Sequence, residues 1–355
     1  RVHGIGSNTY FDPEERSNGA WLWYAAEVRV PTLVSAARAK GLLTGSVSWP
    51  VSVGRFADWN VPEFFRGSST HPSDLRLVEA LSTPGLVDGA VAERGRPLAW
   101  PFTDAERTDL AVHVLKRYKP RLLLLHIFDL DHEEHEYGPM TPEARRAVEA
   151  SDANIGRVLA AIDEAGLAGD TLVAIVSDHG FLPIETNLRP NAVLREAGLL
   201  QVDDKGKITR WQAVFQSSGG TAALRLADGA PADLLLRVRA LFESRLADPA
   251  SGLRDILDAD AVRALGGADA PLVLNARERF YFHNAATGEW QAPATSRGGH
   301  GFVPDRDELH ASLILAGPGS ARRGDLGIVP MTRIAPTLAR VLGIELSPQA
   351  DQPLP

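Results

Sequence analysis

The chain has 355 residues, 44% hydrophobic and 23% charged, an ordinary globular composition with ample length for a large core. Lys+Arg 37 against Asp+Glu 45 gives a formal charge of −8, which leaves no nucleic-acid footprint and no basic membrane patch. With no cysteine, disulfides and thiolate ligands are excluded, and any metal must be held by His, Asp and Glu.

One large domain, alone or with an inserted subdomain, is the first expectation. The longest apolar runs, such as Leu122 to Leu125, are far too short to span a bilayer. Arg1-Val2-His3-Gly4 is neither a Met start nor a signal peptide. The expectation is a chain that begins in mid-sequence, with any targeting segment out of view.

In chain order, Asn8 and Asp12-Pro13 mark turns. Pro31 to Lys40 predicts a helix entered through proline and closed by Gly41. Leu42 to Trp49 predicts a strand, and Val51 to Thr70, rich in Ser, Gly and aromatics, a loop. Ser73 to Leu81 predicts a short helix with Ser73 as its N-cap. Thr103 to Tyr118 predicts another, because Glu106 stands three residues after Thr103 and Leu110, Val114 and Leu115 recur at helical spacing. Arg121 to Leu130 predicts a buried strand. Thr141 to Ala165 predicts a long amphipathic helix with Pro142 in its first turn and Gly166 at its end.

Thr171 to Val176 then predicts a buried parallel strand, so the helix between two apolar strands is a βαβ unit. Residues 182–297 predict an inserted subdomain. It contains a charged hairpin at Val202 to Ile208, a helix around Ala230 to Leu246 and a tyrosine-containing strand near Arg279 to Phe282. Leu309 to Ala316 predicts a further buried strand, and Thr332 to Leu342 a final helix capped by Gly343.

Three stretches carry residue types suited to chemistry. Ser177-Asp178-His179-Gly180 ends a predicted strand, at the edge where open α/β sheets bind ligands. Adjacent residues in extended backbone point opposite ways, so Asp178 and His179 reach one ion only where the strand breaks, and Gly180 permits that break. The alternative is a helix N-cap or a strand-end turn. Asp131 and His135 stand four apart and share a face if helical, with atoms suited to zinc. The alternative is an acidic solvated turn. His132 is a rival ligand, and the Gly138-Pro139 pair favours His135. Gly298-Gly299-His300-Gly301 sets an imidazole in backbone that allows close approach to an ion or phosphate; alone it is a loop histidine. Each lies near the mouth of a predicted strand. Bound cations reverse the local field of an acidic protein, so the set suits a two-metal site for phosphate esters. His3, His71, His113, His283 and His310 receive no role.

These motifs resemble the alkaline phosphatase superfamily, and within it the type I phosphodiesterase/nucleotide pyrophosphatase family. The resemblance runs through His3-Gly4-Ile5, Asn8, Tyr10 and Asp12-Pro13, then Trp49-Pro50, then Asp131, His135, Gly138 and Pro139. It continues through Asp178-His179-Gly180, His300-Gly301, Gly317-Pro318-Gly319 and Ala335-Pro336-Thr337-Leu338. It implies one α/β domain over 1–355: a three-layer α/β/α sandwich with a mostly parallel central sheet and a small inserted subdomain. It implies two divalent metal ions, most simply zinc. Asp131, His135 and His300 would hold one; Asp178, His179 and one more Asp the other. Asn8 would donate to a phosphate oxygen. That Asp and a Thr or Ser nucleophile are expected upstream of His3. The implied substrate is a small phosphate ester or nucleotide, and the implied location periplasmic or secreted, in a bacterium. A phosphonate hydrolase or phosphomonoesterase of the same superfamily, or a catalytically silent metal-binding homologue, is the alternative. A one-calcium sulfatase-type site suits this histidine-rich set poorly, since calcium takes six or more oxygens.

Overall fold

The computed structural model describes residues 3–16, 21–65, 73–267, 270–318, 324–348 and 350–354. Arg1, Val2, His71, Gly319 and the end of the Val51–Thr70 stretch lie outside the described residues.

Strands β1 (Thr44–Val47), β2 (Trp59–Val61) and β3 (Leu122–Leu125) form a parallel sheet in the order β2-β1-β3. The central strand β1 is buried at every position. Its Gly45 has no room for a side chain, because a Cβ would stand 2.9 Å from both Leu123 and Val114. β2 interrupts the stretch read as loop, since its three residues pair with β1 by parallel register.

Helices cover both faces. Leu122 packs with Ala37 and Ala339, from helices Leu33–Ala39 and Ile334–Leu342. Its neighbour Leu123 points the other way, to Leu115, Ala161 and Ile162 of helices Asp104–Tyr118 and Pro142–Glu164. The capping signals act as spelled: Thr103 and Glu106 form a capping box, and Thr141 accepts from the Ala144 amide with Pro142 at the first turn. The first helix differs from expectation. Thr32, not Pro31, sets its start, through a capping box with Ser35.

β4 (Val173–Val176) also packs on Ala161 and Ile162, through Val173. No ladder joins β3 to β4 among the described residues. The expected βαβ pairing is therefore not formed, although the long helix does connect the two strands. A run of apolar residues reports packing on a helix layer; it does not report which strand lies alongside.

β5 (Leu182–Leu188) starts a second core. β6 (Leu200–Val202) and β7 (Ile208–Trp211) form the expected hairpin. β8 (Ala213–Ser217), β9 (Thr221–Leu226), β10 (Leu253–Asp258) and β11 (Leu272–Ala276) form an antiparallel sheet in the order β10-β11-β9-β8. Helix Leu234–Leu246 lays Leu234, Val238 and Phe242 into this core, where the Phe215 and Phe242 rings meet edge to face at 5.3 Å. β12 (Arg279–Phe282), β13 (Gln291–Pro293) and β14 (Gly298–Gly299) all pair with β5. The last described strand, β15 (Leu313–Ala316), returns to pair antiparallel with β4. The strand before Asp178 was expected to be parallel and buried. Its observed ladder is antiparallel, and Val176 is 43% exposed.

Candidate functional site

The apolar strand expected over Arg121 to Leu130 stops at Leu125, and the acidic cluster is a helix, Asp129–Tyr137. Helical spacing sets Asp131 and His135 on one face, with Asp131 Oδ1 3.6 Å from His135 Nε2. The helix entry is clamped to the neighbouring helix. Asp104 accepts from the Phe128 and Asp129 amides, Asp129 accepts from the Asp104 amide, and Arg107 Nη1 donates to Asp104 at 2.8 Å and Asp129 at 3.0 Å.

Two further histidines converge on the same carboxylate. His179 Nε2 lies 3.8 Å and His300 Nε2 3.7 Å from Asp131 Oδ1. The ligand atoms of Asp131, His179 and His300 all lie within 4.8 Å of one another. The His179 and His300 rings stack, with centroids 3.6 Å apart. Phe181 stands edge-on to His135, His179 and His300 and walls the cluster with an apolar face. Asp178 Oδ2 lies 3.5 Å from His179 Nε2, its side chain 80% exposed. The sequence thus supplied four residues that meet at Asp131, and Asp178 at their edge. His132 shows no ion pair with the cluster among the described residues. Asn8 lies in an exposed turn, its carbonyl accepting from the Leu22 amide, and no contact ties its side chain to the histidines among the described residues.

The backbone explains the glycines. Gly180 has no room for a side chain, because a Cβ would fall 2.0 Å from the Glu308 carbonyl oxygen. Gly301 has a φ of +78°, and its Cβ would lie 1.8 Å from the Ser218 oxygen. Close packing against other backbone, more than an approach to an ion, requires both.

Electrostatics suit a cation. Burial, then the neighbouring His179 and His135 rings, push the His300 imidazole down to about 3. It is therefore neutral with a free lone pair at pH 7. Burial pushes the Asp131 carboxyl up, against the pull of the histidines, as expected for a charged group taken from water without a cation. Burial and the Asp131 charge also push the Tyr281 hydroxyl up to about 12. Neutral imidazoles and a carboxylate are the donor set of zinc and related ions, so the residues fit a metal.

His126, just past β3, was missed. The signal was an imidazole alone in a leucine run. Burial pushes it down, while the carboxylates of Asp178 and Asp131 act the other way.

Residues 1–302 match the family described as type I phosphodiesterase / nucleotide pyrophosphatase. The chain belongs to that family. Members are hydrolases acting on phosphate esters and are metal-dependent, within the alkaline phosphatase superfamily. The fold is a mixed α/β one shared with solved members. Human ectonucleotide pyrophosphatase/phosphodiesterase 5 is 17% identical with a TM-score of 0.65, over 99% of this chain and 81% of that one. The murine protein, as an inactive variant in complex with AMP, is 16% identical with a TM-score of 0.66, over 99% and 82%. Phosphonoacetate hydrolase from Sinorhizobium meliloti 1021, in complex with phosphonoformate, is 19% identical with a TM-score of 0.54, over 88% and 74%. No curated protein matches by sequence.

Proposed function

We propose that this phosphoric-ester hydrolase is a two-zinc phosphodiesterase of the nucleotide pyrophosphatase type, acting on small phosphate esters or nucleotides. The observation that carries the reading is the convergence of His135, His179 and His300, from three distant motifs, on Asp131 at 3.6 to 3.8 Å. Asp131, His135 and His300 would hold one zinc, and Asp178 and His179 the other with one more Asp. The stacked His179 and His300 rings suit two ligand sets placed back to back. When bound, the ions supply Lewis acidity to the attacking and leaving oxygens of an in-line displacement.

The chain's own residues orient and shield. The Gly298 carbonyl holds His135 through its Nδ1, Phe181 excludes water from one side, and Asn8 would donate to a non-bridging phosphate oxygen. The nucleophile in this reading is a Thr or Ser hydroxyl. We read residues 182–297 as an inserted subdomain, supported by a core drawn mostly from its own residues, with Phe302 and Leu309 joining it. Helices on both faces of β1 to β3 support the three-layer sandwich.

The test compares bis(p-nitrophenyl) phosphate with p-nitrophenyl phosphate and phosphonoacetate, on the zinc-loaded protein. Diester turnover is expected to exceed the other two by at least about tenfold in kcat/KM. A preference for the monoester or the phosphonate overturns the diesterase assignment in favour of that substrate. Zinc binding without any turnover means a silent homologue.

A further inference from the structure

The chain that leaves His300 runs on to Asp305 and Arg306, and these two residues line a second cleft. Its volume is about 450 Å³, and Arg254 of β10, Arg277, Glu278 and Phe280 of β12 complete it. None of the six takes part in the ion pairs and ring contacts around Asp131.

Three guanidiniums meet two carboxylates there, and they are not engaged alike. Arg254 is committed. It forks onto Asp305, Nη1 to Oδ1 at 3.0 Å and Nη2 to Oδ2 at 2.5 Å, and its Nε stands 3.4 Å from Asp255. Both Asp305 oxygens are thereby taken, and Arg306 Nε comes only within 3.9 Å of Oδ1. The Arg306 side chain is 10% exposed. Its Nη2 donates to the Ala276 carbonyl at 3.3 Å, and its Nη1 is buried with no hydrogen-bond partner among the described residues. Arg277 donates through Nε to the Leu253 carbonyl at 3.2 Å, which leaves its two terminal nitrogens without a partner among the described residues. Glu278 is exposed, so water screens its charge.

A guanidinium withdrawn from water without a full counter-charge is costly, and arginine does not escape by losing its proton. An anion in the cleft offsets that cost. The positions are also set in advance. The Arg306 guanidinium lies 5.1 Å over the ring of Phe302, which is buried, and Arg277 is tied to the β10 backbone.

We propose that this cleft is a second anion-binding site, separate from the metal centre, which takes a phosphate group between Arg277 and Arg306. Guanidinium forks match phosphate oxygens in shape and charge. The phosphate arrives either as the inorganic ion or as the end of an organic monoester whose apolar part lies on Phe280. The proposal stands apart from the phosphodiesterase reading, since no metal ligand contributes to it.

The experiment is calorimetric titration of the metal-free protein with inorganic phosphate and with phenyl phosphate. One equivalent of phosphate is expected to bind, more weakly as salt is raised. Arg277→Gln should weaken it about tenfold, the size of one hydrogen bond between charged groups, and Arg306→Gln at least as much. Arg279→Gln is the control, because that guanidinium pairs with Glu185 outside the cleft, and it should leave the affinity unchanged. Tighter binding of phenyl phosphate identifies an organic monoester as the ligand, and equal affinity identifies inorganic phosphate; either result supports the site. If Arg306→Gln fails to fold, Arg277→Gln decides alone, since Arg277 is half-buried and makes one side-chain contact to backbone. Absence of phosphate binding, or an equal loss in Arg277→Gln and Arg279→Gln, overturns the proposal. Phosphate binding that appears only after zinc is restored belongs to the metal centre and overturns it too.

Discussion

His135 Nδ1 and the Gly298 carbonyl oxygen lie 3.0 Å apart, joining residues 163 positions distant in the chain. A carbonyl only accepts, so the proton sits on Nδ1 and the Nε2 lone pair is left for the Asp131 side. Gly298 is also where the backbones close up: a Cβ there would lie 2.3 Å from the Glu134 oxygen. Gly298→Ala should push the strand off the helix and turn His135. Zinc affinity is expected to fall roughly 10- to 100-fold, read by competition with a chromophoric chelator. An unchanged affinity would show that this contact does not orient the ligand.

His300 offers its ring to Asp131 and stacks on His179. His300→Ala should remove about one equivalent of bound zinc, in keeping with tetrahedral ligand counting. Elemental analysis of the dialysed protein checks this, and unchanged metal content refutes the assignment.

Arg107 is buried, its side chain 5% exposed, and serves two carboxylates at the entry to the metal helix. Arg107→Met leaves Asp104 buried without its counter-charge. The variant should lose about 3 kcal/mol of unfolding free energy, the lower end for breaking a buried ion pair. Urea denaturation measures it, and a loss below about 1 kcal/mol, typical of exposed pairs, would contradict the network.

The metal-free protein should weaken in acid through His300. Its folded value of about 3 lies below the unfolded value of 6.5. Between the two, only the unfolded chain takes the proton. The contribution is whole above pH 6.5 and is lost progressively as pH falls towards 3. Denaturation of chelated protein at steps between pH 7 and 4 should show this decline, and His300→Gln should flatten it. A variant with the same slope as the wild type would place the titration elsewhere.

What the sequence discloses depends on whether a signal is local. Thr103 and Glu106 spell a cap in four residues, and the cap forms. The histidines stand out because imidazoles are uncommon and end apolar runs. Partner choice is not local: Thr171 to Val176 carries no mark that β15 would be its neighbour. Gly180 was legible as a glycine that matters, yet the Glu308 carbonyl it must clear lies far along the chain. Glu63 sits in an aromatic stretch where one acid looks like a solvated side chain. The fold withdraws it from water, and burial pushes its carboxyl up to about 7.

The ladder of β4 and β15 has a cost in solution. Val176 of β4 and Ile314 of β15 are 43% and 56% exposed. Unpaired backbone beside exposed apolar side chains is a template for strand addition between molecules. The protein should self-associate through that ladder, growing more turbid with concentration. Val176→Lys should keep it dispersed under the same conditions.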